Sequence, residues 1–249
     1  MRATLSGSSL TAKQEEIAAR GIKAMMPIGR PFLDYSLSAL ADAGCTEICL
    51  IIGREHDLIR NYYQALRPKR LHICFAVQQQ PLGTADALRA AREFTGSDSF
   101  LVVNSDNYYP VDALRKLREL GGSGVIGFER SGLLQSGAID EERLQAYAVL
   151  QTDANGHLRG IEEKPARVEA DALISMNSWS FTPAIYGPCE AIEPSFRGEY
   201  EIPAAVQYAI DNLGEPFQVI RYRGEVLDLS TRADVANVER RLAGRSVQL

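Results

Sequence analysis

The sequence predicts an α/β protein with a mostly parallel sheet covered by helices on both faces. Three observations carry this expectation. Short apolar runs rich in β-branched residues alternate with stretches of helical period up to residue 106. Repeated β-α-β order requires a sheet buried on both faces. The apolar runs also end in polar residues, Gln78 to Gln80 after one and Asn104 to Asn107 after another. Right-handed crossovers bring such ends to one sheet edge, where open α/β sheets bind ligands.

Residues 11–20 read as a helix starting at a Thr11 N-cap. Residues 31–43 form the next helix, with Pro31 in the first turn and Gly44 as the stop. Residues 46–53 are a buried strand, 56–66 a helix and 72–79 a strand. Residues 83–94 are a helix with Thr84 as its cap, and 99–106 a buried strand ending in a polar turn. After residue 120 the rhythm changes. Residues 122–130 read as a strand, 131–144 as an irregular insertion, and 146–165 as a hairpin around Asn155-Gly156. Residues 172–186 are a further strand and 201–214 a helix ended by Gly214. Residues 217–230 hold two strands, and 231–244 a closing helix capped by Ser230 or Thr231.

The 249 residues are 45% hydrophobic and 24% charged, which excludes intrinsic disorder and suits one domain over residues 1–249. Lys and Arg total 27 against 32 Asp and Glu, a net charge of −5 with no basic run. A general nucleic-acid binder would show a basic patch, so that class is excluded, whereas small anionic substrates are not. No apolar run reaches about 18 residues, and the N-terminus has no apolar signal core. The expectation is a cytoplasmic protein without a membrane partner, for which a homo-oligomer is compatible. Cys45, Cys49, Cys74 and Cys189 read as free thiols in a reducing compartment, since paired C-x-x-C spacing is missing.

Six short segments stand out in order: Lys23-Ala24-Met25-Met26-Pro27-Ile28 with Gly29-Arg30-Pro31 following; Gln78-Gln79-Gln80-Pro81-Leu82-Gly83-Thr84; Val103-Asn104-Ser105-Asp106-Asn107; Ile161-Glu162-Glu163-Lys164-Pro165; Arg197-Gly198-Glu199-Tyr200-Glu201-Ile202; and Leu227-Asp228-Leu229-Ser230-Thr231. Asp106 and Asp228 both end apolar strands, so both should reach the same sheet edge. Each also suits a plain turn. Gly83 permits close backbone approach and opens a helix whose N–H groups face outward.

In this order and spacing the segments resemble the sugar-1-phosphate nucleotidyltransferases, from about Lys23 to Leu242. The resemblance implies a three-layer α/β/α, Rossmann-like domain. It implies attack of a sugar 1-phosphate on the α-phosphate of a nucleoside triphosphate, with release of pyrophosphate and Mg²⁺ as cofactor. Asp106 and Asp228 would hold the metal, and Lys23 would stabilise phosphate charge as the third catalytic residue. Gln78, Pro81, Gly83 and Thr84 would hold the nucleotide, with Gln79 or Gln80 as alternatives to Gln78. Glu163, Lys164, Asn177 and Glu199 would bind the sugar phosphate. Trp179 reads either as a pocket wall or as core.

The sequence also departs from the family pattern. The first strand of the family leads into a Leu-Ala-Ala-Gly-x-Gly-Thr-Arg-like loop that wraps the triphosphate with backbone N–H groups. Here Met1-Arg2 fits the residues just after that loop. Three expectations stand side by side: a true start upstream of Met1, a shortened substitute loop in Thr4–Ser9, or a paralogue that binds nucleotide sugars without catalysis. A transferase acting on a non-sugar phosphate is a further alternative. Losing a central first strand would leave two neighbouring strands with unpaired backbone groups. Ser230, Ala148 and Ala204 replace two glycines and an acidic residue of the pattern.

Overall fold

The computed structural model describes residues 10–249 except 136 and 138. Met1 to Ser9, including the Thr4–Ser9 segment, lie outside the described residues.

Helix α1 (Ala12–Arg20) starts at the expected Thr11 N-cap. Thr11 and Gln14 form a reciprocal capping box, and Gly21 at φ 73° provides the left-handed stop. A 3₁₀ turn at Lys23–Met25 follows, then the short antiparallel pair β1 (Pro27–Ile28) and β2 (Arg30–Pro31) around Gly29. Helix α2 (Phe32–Asp42) is buried along most of its length. The next elements alternate: β3 (Glu47–Gly53), α3 (Asp57–Leu66), β4 (His72–Gln78), α4 (Thr84–Ala90), α5 (Arg92–Thr95) and β5 (Phe100–Val103). β6 (Asn107–Tyr108) and helix α6 (Val111–Glu119) come next. The sequence expectation had no helix at α6, although Ala113, Leu114 and Leu117 are buried at helical spacing.

The second half begins with β7 (Gly124–Glu129). The expected irregular insertion contains two short helices, α7 (Arg130–Gln135) and α8 (Glu141–Leu144). β8 (Ala148–Thr152) and β9 (Leu158–Glu162) form the expected hairpin, with Gly156 at φ 81°. β10 (Leu173–Phe181) ends earlier than expected, at Thr182-Pro183, and helix α9 (Tyr186–Ala191) follows. Helix α10 (Ile202–Leu213), strands β11 (Gln218–Tyr222) and β12 (Leu227–Asp228), and helix α11 (Asp234–Leu242) complete the chain.

The class is α/β, and the pairing is mixed. β3 and β4 are parallel, as are β11 and β7, whereas β10 runs antiparallel to β5, β7 and β8. β8 forms a hairpin with β9 on one side and pairs antiparallel with β10 on the other. The six-stranded sheet has the order β11-β7-β10-β8-β9, with β5 on the second half of β10. Among the described residues, β3 has one ladder, to β4, and β5 one, to β10. All four residues of β5 are only half-buried.

Residues of one strand alternate between two hydrophobic clusters, which makes three layers. Ile126, Phe128, Ile174 and Met176 pack with α2, α6 and α11. Val125, Leu173, Trp179 and Phe181 pack with α4, α9 and α10. Trp179 is 1% exposed and stacks on Phe181, so its place is in the core. Among the described residues, no helix is long and apolar enough to cross a membrane.

Candidate functional site

The 3₁₀ turn at Lys23–Met25 is anchored by buried Ile22, Ala24, Met25 and Met26, which leaves the lysine as the group pointing away from the core. Its Nζ lies 2.9 Å from Asp106 Oδ2, and both side chains are about a quarter exposed, at 27% and 25%. Asp106 stands in the polar turn between β5 and β6. β12 pairs with β6 so that Asp228 lies opposite Asn107, and Leu229 N donates to Asp106 O at 2.9 Å. The structure thus sets Asp106 against Lys23 and beside the backbone of the Asp228 segment, in the two-stranded β6–β12 pairing rather than at the end of the six-stranded sheet.

Asp228 has more partners than the sequence suggests. Oδ2 accepts from the Arg143 guanidinium at 2.7 Å, from the Tyr147 hydroxyl and from Ser230 Oγ at 2.8 Å. Arg143 also forms a bidentate pair with Asp234. Ser230, a departure from the family pattern, is therefore a ligand of the carboxylate. Burial, with Asp228 adding to it, pushes the Tyr147 phenol far up. Burial does the same to Tyr109, and Asp106 and Asp228 contribute. Sequence reasoning missed Arg143, Tyr147 and Asp234; α8 ends at Leu144, so no helical spacing joins Arg143 to Tyr147.

The second group of residues surrounds Gly83. Gln78 Nε2 donates to Gly83 O and Asp86 Oδ2, each at 2.9 Å, and so braces the loop. Gln79 instead accepts from Arg54. Pro81 is exposed in the same loop. Gly83 has φ 106° and ψ 179°, a region open essentially to glycine alone. A Cβ there would stand 2.4 Å from Tyr200 O. Tyr200 N donates to Leu82 O, and Ala85 N donates to Tyr200 O. Thr84 does not cap α4 as expected. Gly83 holds the N-cap position, and Thr84 Oγ1 accepts from Ile202 N at 2.9 Å. Likewise α11 has Ala233 at its N-cap, and Thr231 donates to Asp234 rather than capping. Gly83→Ala is expected to destabilise the fold by about 2–4 kcal/mol. Urea denaturation checks this; a loss under about 0.5 kcal/mol would show that the Tyr200 contact yields.

This clamp joins the loop to the third group. Arg197 pairs with Glu201 and Glu199, and Ser195 Oγ donates to Glu201. Glu163 and Lys164 follow β9, with Lys164 at φ 48°. Partial desolvation, then the Glu201 carboxylate, raises the Glu163 pKa, while Lys164 and Arg197 oppose the shift. Glu201 and Arg197 were not among the expected site residues, although they share the segment with Glu199. Asn177 sits at φ 54° in the β10 bulge between Ser175 and Trp179, where the ladder to β7 breaks.

The raised Glu163 pKa has a calculable sign. Its proton is held more tightly in the folded chain, so its contribution is full below the ordinary value of 4.5 and is lost as pH rises through the folded value. Glu163 is nonetheless exposed, and water screens the effect, so Glu163→Gln should melt only slightly higher than the wild type at pH 7 and converge with it near pH 4. The same variant should raise KM for the sugar phosphate. Equal melting temperatures across that range would contradict the desolvation.

The fold and these groups define an α/β protein that gathers carboxylates and a lysine around the β5–β6 turn and carries a second acidic cluster. The family model for nucleotidyl transferases matches residues 16–224. The chain belongs to the nucleotidyl transferase family. It is 32% identical over 215 residues to a glucose-1-phosphate thymidylyltransferase of Streptomyces antibioticus, covering 85% of this chain and 57% of that protein. It is 32% identical over 222 residues to the low-salt glycan biosynthesis nucleotidyltransferase Agl11 of Haloferax volcanii, covering 85% and 59%. A UTP–glucose-1-phosphate uridylyltransferase, AglF, of the same organism is 27% identical, with 88% and 87% covered. The chain thus spans under two thirds of the first two relatives. The fold is also that of a solved UDP-glucose pyrophosphorylase complexed with UDP-glucose, with TM-score 0.72, 18% identity and 88% and 89% coverage.

Proposed function

We propose that the chain transfers a nucleotidyl group from a nucleoside triphosphate to a sugar 1-phosphate. The observation that carries this reading is the meeting of Lys23, Asp106 and the Asp228 backbone at the β5–β6 turn, together with a Gly83–Tyr200 clamp that ties the glycine loop to the Glu199–Glu201 segment. A phosphate oxygen of the sugar 1-phosphate attacks the α-phosphorus, a new P–O bond forms, and the bridging P–O bond to the β-phosphate breaks. Pyrophosphate leaves. The attacking oxygen is already ionised, so no general base is required. Positioning and charge neutralisation then carry the catalysis.

Lys23 places a compact charge on the phosphates. Gln78, Pro81, Gly83 and Thr84 hold the nucleotide. Glu163, Lys164, Asn177 and Glu199 receive the sugar hydroxyls and its phosphate, and Arg197 with Glu201 orients Glu199. Carboxylates suit hydroxyl groups, which favours a sugar over an acceptor without them. Names of the relatives point to glucose 1-phosphate with a thymidylyl or uridylyl donor. We also read the chain as a single cytoplasmic domain.

Among the described residues, no three His, Cys, Asp or Glu side chains converge as a ready metal cage. Mg²⁺ needs only one or two carboxylates beside substrate phosphates. Asp106, a quarter exposed, fits that requirement. When bound, the ion would neutralise triphosphate charge.

The test is pyrophosphate release from UTP, dTTP, GTP, ATP and CTP against a panel of sugar 1-phosphates. Release with a glucose 1-phosphate and a pyrimidine triphosphate is expected. A folded protein that releases none with any pair would overturn the reading.

A further inference from the structure

Asp228 was expected to share a metal with Asp106, yet the two carboxylates have different surroundings. The Asp228 side chain is 4% exposed. Oδ2 is surrounded by Arg143, Tyr147 and Ser230, and Ser230 Oγ is also 2.9 Å from Oδ1. Arg143 is itself fixed. It reaches both carboxylate oxygens of Asp234 and the Asp228 carbonyl, and its own N–H is capped by Asp140 Oδ1 at 2.8 Å. Asp106 is open by comparison, with 25% of its side chain exposed and Lys23 on Oδ2.

A divalent ion at Asp228 would have to strip hydrogen bonds from a buried carboxylate and settle beside a guanidinium held by two acids. Like charges at such range repel strongly where solvent is excluded. The donor set at Asp228 therefore does not fit a metal.

We propose that Arg143 is the resident cation of Asp228, and that a divalent ion is held from Asp106 alone. The Arg143–Asp228–Asp234 network then acts as a positioning device. Asp228 is registered opposite Asn107, and the next residue donates its N–H to the Asp106 carbonyl. Locking Asp228 locks the backbone from which the Asp106 side chain departs. The proposal rests on the nucleotidyl-transfer reading only for the phosphates that would share the ion.

Water-proton relaxation by Mn²⁺, alone and with UTP, tests it without turnover. Enhancement is expected in the wild type. Asp106→Asn should weaken Mn²⁺ binding at least tenfold, and Asp228→Asn less than threefold. Arg143→Gln should weaken it about threefold by releasing Asp106 and lower the melting temperature, and Arg143→Lys should restore most of both. Tyr147→Phe frees a lone pair of Asp228 with little threat to folding and should leave Mn²⁺ affinity unchanged. Four results would each overturn the proposal: no enhancement in the wild type, equal losses in the two aspartate variants, tighter binding in Arg143→Gln, or a fivefold gain in Tyr147→Phe. A chain that fails to release pyrophosphate can still pass this test, and one that releases it can still fail.

Discussion

Replacing Asp34 by alanine is expected to cost the fold about 3 kcal/mol, because it strands a charged partner and two phenols. Asp34 is fully buried in the first turn of α2. Its carboxylate accepts from Arg30 Nε, Tyr62 OH and Tyr63 OH, each at 2.8 Å. Burial and then the Asp34 charge raise both phenols, Tyr62 to about 12 and Tyr63 further. These phenols therefore stay protonated donors through the neutral range. Alanine removes the acceptor of all three groups; Tyr63 stays buried without it, while Arg30 and Tyr62 reach some water. Asparagine keeps an acceptor oxygen but loses the charge, so Asp34→Asn should cost about half as much. Urea denaturation of the two variants is the measurement, read as a shift in midpoint at constant slope. A loss below about 1 kcal/mol for Asp34→Ala would mean that water replaces the carboxylate. The consequence for the site is indirect but traceable. Arg30 belongs to the β1–β2 pair that follows the Lys23 turn, and it also reaches the Val247 carbonyl.

What was legible in the sequence is what local chemistry encodes. The Thr11 N-cap, the Gly214 stop, the β3 and β4 runs and the Asn155-Gly156 hairpin each need only neighbours within a few residues, and each is present. The sequence expected Asp106 and Asp228 at one sheet edge; their segments do meet, but through a separate two-stranded pairing of β12 with β6. Arg143 was not legible. Its partners are 85 and 91 residues away, and no spacing rule says which buried carboxylate a distant guanidinium will meet. Gly83 shows a different limit. Its glycine is equally suited to ligand approach and to the Tyr200 backbone that it touches, and only the coordinates reveal the second demand. Thr84 fails for the same reason: a hydroxyl at a helix start suits a cap, yet a distant N–H claims it. β10 also overrode local expectation. A chain alternating strands and helices suggests parallel neighbours, but β10 runs antiparallel to β5, β7 and β8, and the β8–β9 hairpin adds a further antiparallel ladder.

Lys23→Met should have the opposite profile to Asp34→Ala: almost no effect on stability and a loss of about 10²–10³ in kcat. The contrast follows from exposure. Lys23 and Asp106 form a 2.9 Å ion pair with both side chains about a quarter open to water, at 27% and 25%. Partly solvated pairs of this kind contribute about 1 kcal/mol or less to folding, because water competes for both charges. Their value appears when a triphosphate enters. The lysine can then exchange a carboxylate for developing phosphate charge in a site that excludes solvent, where each fixed charge acts more strongly. Asp106→Asn should lower kcat by a similar factor. The double variant should lose much less than the product of the two, since the pair acts as one unit. Single-turnover pyrophosphate release at saturating substrates separates this from weaker binding. If Lys23→Met changed KM alone, the lysine would be holding ground-state substrate and would have no special hold on the transition state. If it lowered the melting temperature by many degrees, the pair would be structural, and the meeting at the β5–β6 turn would lose its catalytic meaning.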